Sequence, residues 1–339
     1  MKKVFTRKYE QQIRKILTEK GFSESQILYL LRGYNEYFNI HEFAAVENFS
    51  SVIDDILNGI KPKSVNAKHK YLALKEILKQ RNISLPQAMA LTLYSNSESN
   101  VAQFKRNLAT PKQLFEKEKE RLIESWEFEK KSLLSKEELD LIDDVCNVVK
   151  QEINKNIFSS FDVLKNMNLG NYLHYTLNFA IKCSNMVKTY KLMPQLNEVL
   201  KNQLPYNMIL YRGLEKGYLQ KRFGVSDLSK AIGMCFEDNG FSSTSLLFED
   251  CFGAHATDFV TLRLFAPKGT QGLDITQFSP FETEREILLN SNDIFIVDYE
   301  EYERGCIMLT GFVLSKELEC YKDIGKPKKQ KENDDEENS

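Results

Sequence analysis

The chain has 339 residues, with 46 Lys plus Arg against 48 Asp plus Glu, a formal charge of -2 and 42% hydrophobic residues. That length can bury one large core plus a smaller one, and the balanced charge gives no general footing for a nucleic-acid partner. Nowhere do about 18 uncharged apolar residues run together, so no membrane-spanning helix is predicted, and the basic start MKKVFTRKYEQQIRK lacks the apolar segment of a cleaved signal. The cysteines at 146, 183, 235, 251, 306 and 320 have no short paired spacing and read as reduced core residues, with neither a zinc cluster nor a disulfide framework. His41, His69, His174 and His255 form no evident ligand set, so no metal is expected.

Residues 1–130 are predicted to be all-helical. Apolar residues recur at helical spacing, as in Ile13, Ile16 and Leu17 and then Ile27, Leu28, Leu30 and Leu31. Pro62 and Pro111 mark breaks, and Ser84-Leu85-Pro86 reads as a helix start with proline in the first turn. Two roles are open to this region: a bundle that only buries its own stripes, or a surface for target recognition or a secretion chaperone. The alternating charges of Pro111 to Lys131 suit an exposed linking helix, with Trp126 as a packing anchor between domains.

A second domain is predicted over 131–320. Ser135 and Glu138 form a capping-box signature, followed by Leu139, Ile142, Cys146 and Val149 on one helical face. Another helix is predicted from Asn171 through Met186, and Pro194 precedes a short third one carrying Leu196, Val199 and Leu200. After Pro205 the period changes toward two. Candidate strands are 208–211, 240–244, 259–265, 286–289, 294–299 and 306–314, while 227–236 reads as helix-like. Helices first and short strands later imply an α+β fold, and no Gly-x-Gly-x-x-Gly follows a strand to hold a dinucleotide in the Rossmann manner. The polar tail 321–339, ending KENDDEENS, is predicted to be disordered.

Three short elements in the second domain carry chemistry. Tyr211-Arg212-Gly213 ends an apolar run, Phe241-Ser242-Ser243-Thr244-Ser245 is a hydroxyl cluster, and Glu284-Arg285-Glu286 precedes another apolar run. In an extended segment the two glutamates fall on one face, with Arg285, Ile287 and Leu289 on the other. An arginine, a hydroxyl cluster and paired carboxylates suit a phosphate-bearing substrate that develops positive charge as it reacts. A serine-protease reading is disfavoured, because no nucleophile-elbow glycine pair surrounds the serines.

In this order and spacing the elements resemble the arginine, Ser-Thr-Ser and Glu-x-Glu motifs of arginine-specific mono-ADP-ribosyltransferases of the bacterial toxin and effector type. The resemblance covers roughly residues 135 to 315. It implies a two-sheet core with helices, NAD as substrate, and a target protein bearing an acceptor arginine, in a host cell. By the same resemblance Glu286 stabilises the ribosyl cation and Glu284 receives the acceptor guanidinium; glutamate rather than glutamine at 284 is what points to arginine. Arg212 contacts NAD phosphate or ribose, Gly213 lets backbone approach the nicotinamide amide, and Ser243 orients Glu286, with Thr244 and Ser245 supporting the cleft. Phe248 or Phe252 is placed to stack on nicotinamide, and Ser279 and Phe281 to meet the acceptor protein. The acidic tail resembles the uncleaved C-terminal signals of effectors moved by type IV secretion, which implies a stay in the bacterial cytoplasm and then export to the host cytosol. NAD glycohydrolysis and a non-catalytic host-binding module are the alternatives.

Overall fold

The computed structural model describes residues 47–61, 63–96, 110–155, 164, 166–238 and 240–314, together with 11, 14, 15, 17–19, 21–25, 27 and 28. The predicted tail at 321–339 and the positions Ile13, Ile16, Leu30, Leu31, Pro62 and Cys320 lie outside the described residues. Leu17 and Ile27 are buried, and the Phe22 ring lies 5.4 Å from that of Phe295 in the sheet region.

The helices are α1 (Ser50–Leu57), α2 (Val65–Gln80), α3 (Leu85–Asn96), α4 (Pro111–Lys130), α5 (Lys136–Lys155) and α6 (Leu173–Val199). Local chemistry sets their starts. The Ser64 hydroxyl accepts from the Ala67 amide ahead of α2, and Ser84 and Gln87 exchange side-chain and backbone hydrogen bonds at the start of α3. Thr110 and Gln113 do the same for α4, where Pro111 occupies the first turn and sacrifices no needed donor. Ser135 and Glu138 complete the capping box predicted for α5.

Two sequence expectations change here. The predicted break at Pro194 does not occur, and α6 runs through it to Val199. Met193, Leu196 and Val199 on either side of the proline are buried, so packing carries the helix past the one amide that proline lacks. Helix α4 is also more than an exposed link, because Leu114, Phe115, Leu122 and Trp126 are buried along one side. The Trp126 ring stacks on Tyr172 at 4.3 Å, and Phe115 meets Phe179 edge-on at 5.5 Å. One hydrophobic cluster runs from Phe49 through Leu200 and takes in Phe241, Ile275, Phe278 and Leu288 from the sheet region.

The strands are β1 (Met208–Glu215), β2 (Cys235–Asp238), β3 (Ser242–Ser245), β4 (Phe259–Ala266), β5 (Gly272–Asp274), β6 (Glu286–Leu289), β7 (Asn292–Tyr302) and β8 (Cys306–Leu314), with a short helix α7 (Lys216–Phe223) after β1. Their order is β2-β7-β8-β4-β1-β3-β6-β5, antiparallel except for the β4–β8 pair. This is an α+β arrangement: a helical region followed by a mixed sheet core. The two halves of the sheet are joined at β1 and β3 through the single pair Tyr211 and Ser245, whereas β1 and β4 pair along their whole length. A second hydrophobic cluster lies beneath, formed by residues such as Leu210, Leu262, Ile287, Leu289 and Leu309. Along β6 the alternation is clear, with Leu288 in the first cluster and Ile287 and Leu289 in the second.

The stretch 227–236, read from sequence as helix-like, is instead a single 3-10 turn at Leu228–Ala231 followed by β2. Its apolar spacing fits either structure. Pairing with β7, Cys235 opposite Phe295 and Asp238 opposite Asn292, decides for the strand.

Candidate active site

Strand β3 gives each hydroxyl of Ser242-Ser243-Thr244-Ser245 a separate partner. Ser242 donates to Asp238 Oδ2 at 2.7 Å, Ser243 to Glu286 Oε1 at 2.6 Å, and Thr244 to the Ile287 carbonyl at 2.5 Å. Ser245 donates to the Asp250 carbonyl at 3.3 Å. Register explains the second contact: Ser243 pairs with Leu288, so Glu286 is its diagonal neighbour on the same face. Glu286 is only 1% exposed, and the hydroxyl fixes its carboxylate at the head of β6.

Arg212 projects from β1 toward the same region. Its Nη1 lies 2.7 Å from Asp238 Oδ2, with the arginine side chain 13% exposed and the aspartate 2%. The approach is a charge contact without hydrogen-bond alignment. Oδ2 of Asp238 therefore serves both Arg212 and Ser242, tying the arginine strand to the hydroxyl strand. Sequence reasoning passed over Asp238. Its one local signal is its place in Asp-Asn-Gly just before the hydroxyl cluster, since the arginine it meets is distant in the chain.

Glu284 and Glu286 do not sit in one extended segment. Glu284 closes a 3-10 turn (Glu282–Glu284), Arg285 is left-handed at φ 45°, and the strand begins at Glu286. The same-face relation predicted from strand geometry thus fails at Arg285, a strained conformation for a residue with a Cβ. Arg285 instead turns to Asp250, Nη1 to Oδ2 3.7 Å. Burial, with repulsion from Asp250 second, raises the Glu284 carboxyl above its ordinary value. Asp250 is raised as well, by burial first, with Arg285 pulling it down and Glu249 pushing it up.

The loop after Ser245 lies across β1. A Cβ on Gly213 would stand 1.7 Å from the Phe252 carbonyl oxygen, so only glycine lets the two backbones meet. What approaches Gly213 in this structure is the loop itself. Phe248 packs edge-on against Tyr211, His255 and Tyr302, with centroids 5.9, 5.2 and 5.8 Å away. The Phe252 ring is 72% exposed and touches Phe259. Tyr302 anchors the loop by donating to the Ala254 carbonyl at 2.6 Å, and burial pushes the Cys251 thiol up to about 12.

Of the residues expected to meet an acceptor, Phe281 is 49% exposed but Ser279 is fully buried. The Ser279 hydroxyl accepts from the Phe281 amide at 3.1 Å and its carbonyl from Asn48 Nδ2 at 2.8 Å. It shapes the turn from within and presents no side chain to a partner. The structure therefore brings Ser243 to Glu286 and ties Ser242 to the Arg212 pair, places Glu284 on the adjoining turn, and removes Ser279 from the surface.

Residues 124–306, more than half of the chain, match the family model described as ADP-ribosyltransferase exoenzyme. The chain belongs to this family. Like the rest of the family, this ADP-ribosyltransferase uses NAD as its substrate, and the family is one of bacterial toxins and effectors. Among solved structures it is similar to an ADP-ribosyltransferase from Clostridium botulinum, at 23% identity over 39% of this chain and 71% of that one, TM-score 0.31. It is similar also to a protein from S. aureus solved with NAD, at 16% identity over 80% and 100%, TM-score 0.39. Exoenzyme S from Pseudomonas aeruginosa gives 18% identity over 41% and 70%, TM-score 0.30. No curated protein sequence matches. Among the described residues of the ADP-ribosyltransferase, no group of three or more His, Cys, Asp and Glu is arranged to hold a metal ion, and no helix is long and apolar enough to cross a membrane.

Proposed function

We propose that this ADP-ribosyltransferase transfers ADP-ribose from NAD to an arginine of a host protein, as a secreted bacterial effector. The observation that carries the reading is the Ser243 hydroxyl held 2.6 Å from a Glu286 carboxylate that is 1% exposed. As nicotinamide leaves, its ribose carbon becomes cation-like, and a locked, water-shielded carboxylate stabilises that charge more than it does the ground state. Arg212, kept in place by Asp238, supplies the positive charge for NAD phosphate or ribose, and Phe248 or Phe252 the aromatic surface for nicotinamide.

Glu284 supports an arginine acceptor. A guanidinium is protonated at neutral pH and has to shed a proton to attack, and a half-buried carboxylate with raised proton affinity suits that transfer. Phe281, exposed and accepting at its carbonyl from the Glu284 amide at 3.0 Å, is the candidate for contact with the acceptor protein. Export to the host through the acidic tail, with a secretion chaperone, completes the reading.

The test uses labelled NAD and host-cell lysate with the parent protein, Glu286→Ala and Glu284→Ala. The parent labels protein on arginine, identified by mass spectrometry; Glu286→Ala loses both labelling and nicotinamide release; Glu284→Ala keeps nicotinamide release and loses labelling. Nicotinamide release by the parent without any protein labelling would make the enzyme an NAD glycohydrolase instead.

A further inference from the structure

The segment from Asp274 to Ser279 lies just ahead of Phe281 and Glu284, and its backbone is held from the far end of the chain. Arg81 Nη2 donates to the Asp274 carbonyl at 2.6 Å, Asn48 Nδ2 to the carbonyls of Thr276 at 2.9 Å and Ser279 at 2.8 Å, and Thr92 Oγ1 to that of Phe278 at 2.8 Å. The Phe49 amide donates to the Gln277 carbonyl at 2.8 Å. The remaining carbonyl, of Ile275, accepts within the turn from Phe278 and Ser279. Every carbonyl from 274 to 279 thus has a donor, and five of the six are supplied by residues 48–92.

Side chains add to the grip. Arg81 Nη1 donates to Gln277 Oε1 at 2.9 Å, and its guanidinium lies 5.3 Å from the centre of the Phe278 ring. Asn48 is braced in turn, because its Oδ1 accepts from the Ser50 amide at 2.9 Å and hydroxyl at 2.7 Å. Thr92, Phe278 and Ser279 are all fully buried. A turn without regular structure ordinarily leaves its carbonyls to water and samples several conformations. Here side chains of the helical region specify one of them.

We infer that Asn48, Arg81 and Thr92 are positioning residues for the acceptor step: they fix the turn 274–279 so that Phe281 and Glu284 are presented in one arrangement to an incoming guanidinium. The inference rests on the arginine reading given above. NAD cleavage draws on the side chains of Arg212, Ser243 and Glu286, which are held by one another and by Asp238. The turn meets Glu286 through backbone, the Ile275 amide donating to its carbonyl at 2.9 Å, a bond that none of the three side chains supplies, so the two partial reactions separate when the grip is weakened. The helical region then acts in acceptor selection as well as in burial.

Thr92→Val keeps the shape of the side chain and deletes one donor, and Arg81→Met keeps the packing on Phe278 and deletes both of its donated bonds. Each is compared with the parent and with Thr92→Ser, which retains the hydroxyl. The readouts are nicotinamide release from NAD alone, the KM and kcat for agmatine as a guanidino acceptor, and amide hydrogen exchange over 276–284. The expected result is nicotinamide release within about twofold of the parent, an agmatine KM raised about fivefold or more, as for loss of one hydrogen bond, and faster exchange confined to the turn. Thr92→Ser restores parental values. Parallel loss of both partial reactions, or no change in KM and exchange, overturns the inference. Failure of the arginine reading shows in the parent, which then cleaves NAD and leaves agmatine unmodified; failure of the grip shows in the variants alone, as unaltered exchange.

Discussion

Removing the Ser243 hydroxyl tests the link between burial and chemistry most directly. Ser243→Ala deletes the donor 2.6 Å from Glu286 Oε1 and leaves a carboxylate that is 1% exposed, so water has little access to take over. A hydrogen bond to a charged group is worth about 1.5–3 kcal/mol, and each 1.36 kcal/mol is tenfold in rate, so kcat for nicotinamide release should fall about 10- to 150-fold. Because Arg212 and its Asp238 partner are untouched, KM for NAD should stay within about threefold of the parent, the pattern for a contact used mainly in the transition state. Ser243→Thr, which keeps a hydroxyl, should recover much of the lost rate. The assay is steady-state nicotinamide release over a range of NAD concentrations, with thermal melts to confirm folding. A folded Ser243→Ala protein with kcat within twofold of the parent would refute the assignment of Glu286 as a carboxylate that must be held.

Four other outcomes follow from the same geometry. Asp238→Asn strips the charge partner from a mostly buried Arg212, which should cost about 3 kcal/mol of stability in chemical denaturation and raise KM for NAD. Gly213→Ala sets a Cβ against the Phe252 carbonyl, a backbone atom that yields only if the loop shifts; an overpacking penalty of about 1–3 kcal/mol should appear in melting, with faster exchange in residues 246–256. Transfer to agmatine should decline as pH falls through the raised pKa of Glu284, at higher pH than an ordinary glutamate would give, and Asp250→Asn should move that limb to lower pH by removing the second cause of the shift. The sign for stability is the opposite of the familiar one. A carboxyl whose folded pKa is raised favours the fold at low pH and loses that contribution as pH rises, so Asp250→Asn should melt higher than the parent near pH 7, with the gain vanishing on acidification.

The parts legible in the sequence were those settled by neighbouring residues. Ser135 with Glu138 and Ser84 with Gln87 cap helices within one turn, and the apolar runs 286–289 and 306–314 are strands with the predicted limits. The Ser243 to Glu286 contact could be anticipated only through the resemblance, because no local rule pairs residues so far apart. Contacts chosen across the chain were not legible. Strand β2 is decided by β7, the role of Asp238 by Arg212, and the burial of Ser279 by Asn48. Arg285 is a different failure: alternation assumes continuous extension, and one left-handed residue breaks it without glycine to announce the turn.

The five carbonyls capped by residues 48–92 also bear on where the protein can be cut. A fragment starting at residue 124, where the family match begins, would lose every one of those donors. It would also lose the Arg81 guanidinium that lies 5.3 Å from the centre of the Phe278 ring. A truncated enzyme made for assay should therefore begin ahead of Asn48, so that the turn keeps these donors.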